Sequence, residues 1–209
     1  MMTIRAAQLA AMMQAIARRV TAERELLNRL DAALGDGDHG TSISAAFNAA
    51  AADIAALDQP SASDLWTAAA KAMLNRMGGA SGALFGTFFL KGVPPLRGKD
   101  RLNKSDMEAA LLAGLQGVKA RGKAEVGDKT MVDALEPAVL AFAAAEEFAD
   151  GWRQAAEGAR AGAESTRELP ARRGRAKYLG ERARGHIDPG ATTIALLFEA
   201  IDGWWTGKA

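Results

Sequence analysis

The chain has 209 residues, with 26 lysines and arginines against 25 aspartates and glutamates, and it contains no cysteine. A formal charge of +1 gives no electrostatic case for nucleic acid as the main partner, and the missing cysteines exclude disulfides and thiolate metal sites. No apolar run reaches the roughly 18 residues a membrane helix needs, and Arg5, Arg18, Arg19 and Glu23 break any signal-peptide pattern, so a soluble, cytoplasmic chain with no membrane partner is expected. No composition shift or long linker divides it, which predicts a single domain over residues 1–209.

Leu9, Met12, Met13, Ile16, Val20, Leu27 and Leu30 recur at helical spacing between residues 7 and 30, a stripe that runs into Asp31 and a glycine loop. A second helix is expected from Gly40–Thr41 to about Ala56. The turn DQPSASD (58–64) ends in Ser63, read as the cap of a helix over 64–77. GGASG (78–82) interrupts, and ALFGTFFLKGV continues to Pro94–Pro95. Ser105, with Glu108 three residues later, reads as a capping box for a helix over 106–121. After a loop with Gly122 and Gly127, helices are predicted from about Met131 to Ala149, stopped at Asp150–Gly151, and from Trp152 to Arg167. A basic stretch, ARRGRAKYLGERARGH (171–186), leads to Asp188-Pro189-Gly190 and a last helix from Ala191 to about Trp205. No alternating run competes as a strand, so the class is all-α, with about eight helices and short connections.

The chemistry concentrates in GDGDHGTSI (35–43), where Asp36 and Asp38 sit two residues apart and Asp31 lies just before them. Like charges held close repel, so something must compensate. Oxygen-only ligands suit a hard divalent ion such as Mg²⁺, whereas the twelve-residue calcium loop with its closing glutamate is missing. The competing reading is that these aspartates cap helices and stay solvated. GGASG offers backbone N–H groups and the Ser81 hydroxyl at a helix start, which suits phosphate, although small residues also serve close helix packing. Thr41–Ser42 adds a second donor cluster beside the aspartates. Residues 117–124 nearly spell a phosphate-binding P-loop, but Ala124 replaces the magnesium-binding hydroxyl and no strand precedes it, so that reading fails. His39 could be a ligand, a phosphate donor or a cap, and His186 reads as structural. The arginines and lysine of 172–184 form a solvated face from which one or two could reach phosphates.

LNRLDAALGDGDHG, GGASGALFGTFF, RGKAEVGDKTMVDALEP and ARRGRAKYLGERARGHIDPGAT, in this order, resemble the nucleotide-binding L subunit of dihydroxyacetone kinase over about residues 27–195. The resemblance implies a closed antiparallel barrel of eight α-helices with the nucleotide, ADP or ATP, among loops at one end. It implies that Asp31, Asp36 and Asp38 hold two Mg²⁺ ions, and that His39, Gly40, Thr41, Ser42, Ala80 and Ser81 line the nucleotide. Gly122, Met131, Arg175 and the turn Asp188, Pro189, Gly190 match further nucleotide-contacting positions. It also implies half an enzyme: a separate K subunit holds dihydroxyacetone through its own histidine, and an M-type phosphotransferase subunit feeds phosphate from phosphoenolpyruvate. An ATP-dependent kinase for dihydroxyacetone or another ketose such as erythrulose is the alternative donor arrangement. From other classes stand a nucleotide-binding regulatory module and a metal-dependent phosphate hydrolase, the last lacking an evident general base.

Overall fold

In the computed structural model, which describes residues 2–208, the apolar stripes become nine α-helices among the described residues. They are α1 (Ala6–Ala22), α2 (Arg24–Leu34), α3 (His39–Ala55), α4 (Ala62–Arg76), α5 (Gly79–Leu96), α6 (Lys104–Gly122), α7 (Val132–Ala144), α8 (Phe148–Ser165) and α9 (Pro189–Trp205). The all-α class is correct. One small departure is an antiparallel pair of two-residue strands, β1 (Ile4–Arg5) and β2 (Arg101–Leu102), which brings buried Ile4 opposite buried Leu102. Two residues are too few to show alternation in a sequence.

The other departures have local causes. The stripe expected as one helix breaks at Glu23, inside the polar gap where it skips from Val20 to Leu27. Ser61, not Ser63, caps α4: its hydroxyl accepts the Asp64 N–H, and the Asp64 carboxylate accepts the Ser61 N–H in return. Asn103 and Asp106 form the same reciprocal pair at α6, while Glu108, expected in a capping box with Ser105, faces Lys104 instead. The GGASG segment opens α5 rather than interrupting a helix. Asp150–Gly151, read as a stop, lies in the first turn of α8; a Cβ at Gly151 would come within 2.9 Å of the Phe142 ring, so the glycine permits close packing.

α1 packs against α3, each helix from there packs against the next in sequence, and α9 returns to α1. Eight helices thus close a ring, with α2 laid against α3 and α9 beside it. Short connections make the neighbours from α3 to α8 antiparallel, and the longer α8–α9 connection returns to the end it leaves, so α3, α5, α7 and α9 all begin at one end of the ring, and Ile4 and Leu102 meet at the other. The interior is filled by aromatics such as Trp66, Phe89, Phe142 and Trp152, with Phe142 and Trp152 ring centres 4.4 Å apart. Glycines at ring-to-ring contacts, such as Gly92 beneath the Trp66 indole and Gly114 beneath the Phe88 ring, let the helices approach closely. No helix of the described residues is long and apolar enough to cross a membrane.

Candidate functional site

The end of the ring where α3, α5, α7 and α9 begin holds a cleft of about 480 Å³, within the range of small-molecule sites. Four helix N-termini turn their positive dipole ends toward it, and α5 opens with no side-chain cap on its first N–H groups. The acidic loop forms one wall. Asp31, on the last turn of α2, folds that loop by accepting the N–H groups of Gly37 at 2.9 Å and Asp38 at 3.0 Å on its Oδ2. His39 N–H approaches the same oxygen at 3.3 Å, so Oδ1 is left without a backbone donor. Gly37 adopts φ +80°, and a Cβ on Gly35 would come within 2.8 Å of Asp31 Oδ1. The glycines therefore bend the loop and leave room for that oxygen.

One carboxylate oxygen from each of Asp31, Asp36 and Asp38 lies within 4.8 Å of the others. Three hard oxygen donors, half-buried to exposed, fit a divalent cation that keeps part of its water shell. Their repulsion is offset in this structure by backbone N–H groups on Asp31 and by the Arg175 guanidinium on Asp36. The Arg175 hydrogen bond holds the Asp36 carboxyl below its ordinary value.

Of the residues expected at the nucleotide, His39, Ser42, Ala80, Ser81, Gly122 and Met131 line this cleft, as do Arg175, Asp188, Pro189 and Gly190. Gly40 and Thr41 do not. Gly40 is buried where α3 crosses α2, and a Cβ there would overlap the Arg24 carbonyl. Thr41 is held by Asn28, which accepts its N–H at 2.9 Å and donates to its hydroxyl at 3.0 Å. Both fix the start of α3 on α2. Asp188 caps α9, accepting the Ala191 N–H at 2.8 Å, and burial pushes its half-buried carboxyl up to about 7.

His39 has its ring buried, with Nε2 2.9 Å from Thr193 Oγ1. Thr193 donates its own proton to the Pro189 carbonyl, so the network assigns the proton to Nε2 of a neutral imidazole. Burial lowers its pKa to about 4, against the opposing charge of Asp31. The folded ring is neutral at pH 7 and joins α3 to α9. A stability consequence follows for the metal-free protein. Between pH 6.5 and 4 the unfolded chain takes up a proton that the folded His39 refuses, so this contribution is present above pH 6.5 and lost on acidification to pH 4. Asp188 acts with the opposite sign over pH 7 to 4, because its folded carboxyl holds a proton that the unfolded one releases. Urea unfolding in EDTA is expected to show wild type losing up to about 3 kcal/mol relative to His39→Gln between those limits. Parallel pH profiles for the two proteins would contradict this.

Sequence reasoning missed the loop before α7. Asp133 accepts the Gly127 N–H at 2.6 Å and the Thr130 N–H at 2.7 Å, shaping residues 127–130 along the cleft, and burial raises its carboxyl. The available signal was an aspartate inside the apolar run MVDAL. Lys129 also reaches the cleft wall, without any periodic signal, while Arg173 reaches it with Arg175 from the basic stretch expected to supply one or two such residues.

Fold and site together define an all-helical ring protein with one acidic, N–H-rich cleft at its end. The chain belongs to the DAK2 domain family, whose model matches residues 33–203. It is 37% identical over 183 residues to the ADP-binding subunit DhaL of PEP-dependent dihydroxyacetone kinase 1 from Listeria innocua, covering 88% of each chain. With the corresponding ADP-binding subunit from Escherichia coli the identity is 35%, over 86% of this chain and 87% of that one. The crystal structure of the dihydroxyacetone kinase from C. freundii in complex with AMP-PNP and Mg²⁺ superposes with a TM-score of 0.77 at 30% identity. That match takes in 94% of this chain, which spans 33% of the kinase's length.

Proposed function

We propose that this chain is the ADP- or ATP-binding phosphoryl-donor subunit of a dihydroxyacetone kinase, a single cytoplasmic domain that delivers phosphate to dihydroxyacetone held by a separate K subunit. The observation that carries the reading is the meeting of three carboxylates with four helix N-termini at one cleft in a chain of this family. Phosphoenolpyruvate, passed through an M-type phosphotransferase subunit, is the ultimate donor in this reading, as the names of the ADP-binding relatives support.

Asp36, Asp38 and the Oδ1 of Asp31 would hold two Mg²⁺ ions. Bound there, the ions and nucleotide supply a transferable phosphoryl group whose charge is shielded while it moves. The chain's own residues position and neutralise. The Ser81 hydroxyl and the N–H groups at the start of α5 would face phosphate oxygens, and Arg175 would exchange its carboxylate partner for one of them. Neither histidine is placed to capture a ketone: the His39 ring is committed to Thr193, and His186 lies at the foot of the connection into α9.

The isolated chain is therefore expected to form no dihydroxyacetone phosphate with either ATP or phosphoenolpyruvate. Adding the K subunit, the phosphotransferase proteins and phosphoenolpyruvate should restore turnover with ADP in catalytic amount, because the acceptor hydroxyl is then held in line with the donor. Turnover by the chain alone would overturn the half-enzyme reading. Turnover with K subunit and ATP only would overturn the choice of donor. Retained nucleotide with no turnover in any mixture would favour a regulatory module.

A further inference from the structure

Between α8 and α9 the chain crosses the cleft end as a strap of irregular and 3₁₀ turns, placing Arg173 and Arg175 on the cleft wall. Much of the strap is exposed, and a small apolar cluster of Ala171 and Ala183 seats it on Leu34. Its two feet converge on one side chain. Lys129 is 1% exposed, and its Nζ donates to the carbonyl oxygens of Thr166 and His186 at 2.5 Å each. Those acceptors stand on either side of the whole strap.

The neighbouring contacts serve the same grip. The Arg172 N–H donates to the Asp128 carbonyl at 3.1 Å, and Arg173 Nε donates to the Asp128 carboxylate at 3.3 Å. The Asp188 N–H donates to Thr166 Oγ1 at 2.9 Å, which closes the second foot. Lys129 adopts φ +61°, a left-handed backbone that costs a non-glycine residue energy, and that turn carries the side chain inward. Among the described residues no carboxylate forms an ion pair with it; Asp188 and Asp133 favour its charge only through their fields. An apolar side chain would fill the same space without the cost of burying a cation, so packing alone does not account for an ammonium here.

We infer that Lys129 is a positioning residue whose ammonium ties the two feet of the strap together, holds Arg173 and Arg175 over the cleft, and so sets how long a nucleotide stays bound. The nucleotide half of this inference rests on the proposed function; the tie itself does not.

Hydrogen exchange and the release of a fluorescent N-methylanthraniloyl ADP in Mg²⁺ read the two halves separately. In Lys129→Met the strap amides of Arg172, Gly185 and Asp188 are expected to exchange at least about tenfold faster with core amides of α4–α6 unchanged, and the ADP analogue to leave at least about tenfold faster. Because the chain has no cysteine, Lys129→Cys can be aminoethylated in denaturant and refolded, which returns an ammonium at nearly the original position. That product should regain slow exchange and slow release, whereas a propylated control should not. Unchanged strap exchange in Lys129→Met, rescue by the propyl group, or a loosened strap with unaltered release would each overturn the inference. Should Lys129→Met fail to fold, exchange in the unmodified chain decides: the three strap amides opening as one cooperative unit supports the tie, and independent opening overturns it. Wild-type protein that does not bind the analogue fells the nucleotide reading, while the exchange arm still decides the tie.

Discussion

Asp36→Ala and Asp38→Ala are each expected to weaken Mg²⁺-dependent ADP binding by at least about 100-fold while leaving helix content and melting temperature near wild type. Both carboxylates are exposed and neither organises the loop, so their loss removes a ligand and relieves repulsion without opening the fold. The Arg175 pair lost with Asp36 is solvent-exposed and contributes little to stability. Asp31→Ala should behave differently. It removes the acceptor for the Gly37 and Asp38 N–H groups, so binding is lost together with about 1–3 kcal/mol of stability. Calorimetric titration with ADP, with and without Mg²⁺, alongside thermal unfolding separates the two behaviours. Unchanged affinity in both Asp36→Ala and Asp38→Ala would sink the metal assignment.

A valine at Gly82 is the second severe change, and the structure supplies the reason for it. The GGASG pattern leaves phosphate approach and close helix packing both open at this glycine. In the fold it is buried, and a Cβ there would overlap the Met77 carbonyl at the end of α4. Gly82→Val should push the start of α5 off α4 and destabilise the protein by about 1–3 kcal/mol, with impaired ADP binding as a consequence. At about 2–4 °C per kcal/mol for a chain of this size, differential scanning calorimetry resolves the loss. Ala80→Val supplies the contrast. Ala80 is exposed on the cleft wall, so the added bulk enters the cleft and leaves the α4–α5 contact intact. It should weaken ADP binding at near-normal melting temperature. A Gly82→Val protein that melts like wild type would contradict the packing role.

The two substitutions show where sequence reasoning reached its limit. Helices were legible because each buries an apolar stripe of helical period, and Asp31, Asp36 and Asp38 were legible because they lie within eight residues of one another. A glycine's purpose was not legible. The same missing Cβ serves a bend at Gly37, room for a carboxylate at Gly35 and helix contact at Gly82 and Gly151, and composition does not distinguish them. Caps slipped by two residues at Ser61 and Asn103 because two hydroxyl or amide candidates stood in each turn: at α4 only Ser61 has a carboxylate three residues on, but at α6 both Asn103 and Ser105 do, so the pattern alone does not choose between them. Arg175 is 139 residues from Asp36, so only the family resemblance could place it at the acidic loop. Lys129 stood inside the segment RGKAEVGDKTMVDALEP but its role was not legible there, since its partners are backbone carbonyls that any residue supplies.

The closed ring also bears on how the molecule assembles. Around most of the circumference, helices that touch are close in sequence, so their pairing closes short loops at small entropic cost. The α1–α9 seam is different, because it joins the two ends of the described chain. The cleft straddles that divide: the acidic loop and α3 come from the first quarter of the chain, and the strap and α9 from the last. His39 and Thr193, 154 residues apart, meet only when the seam has shut. Competence to bind a nucleotide therefore cannot precede the longest-range closure in the molecule, and in a refolding experiment its recovery would time that closure directly.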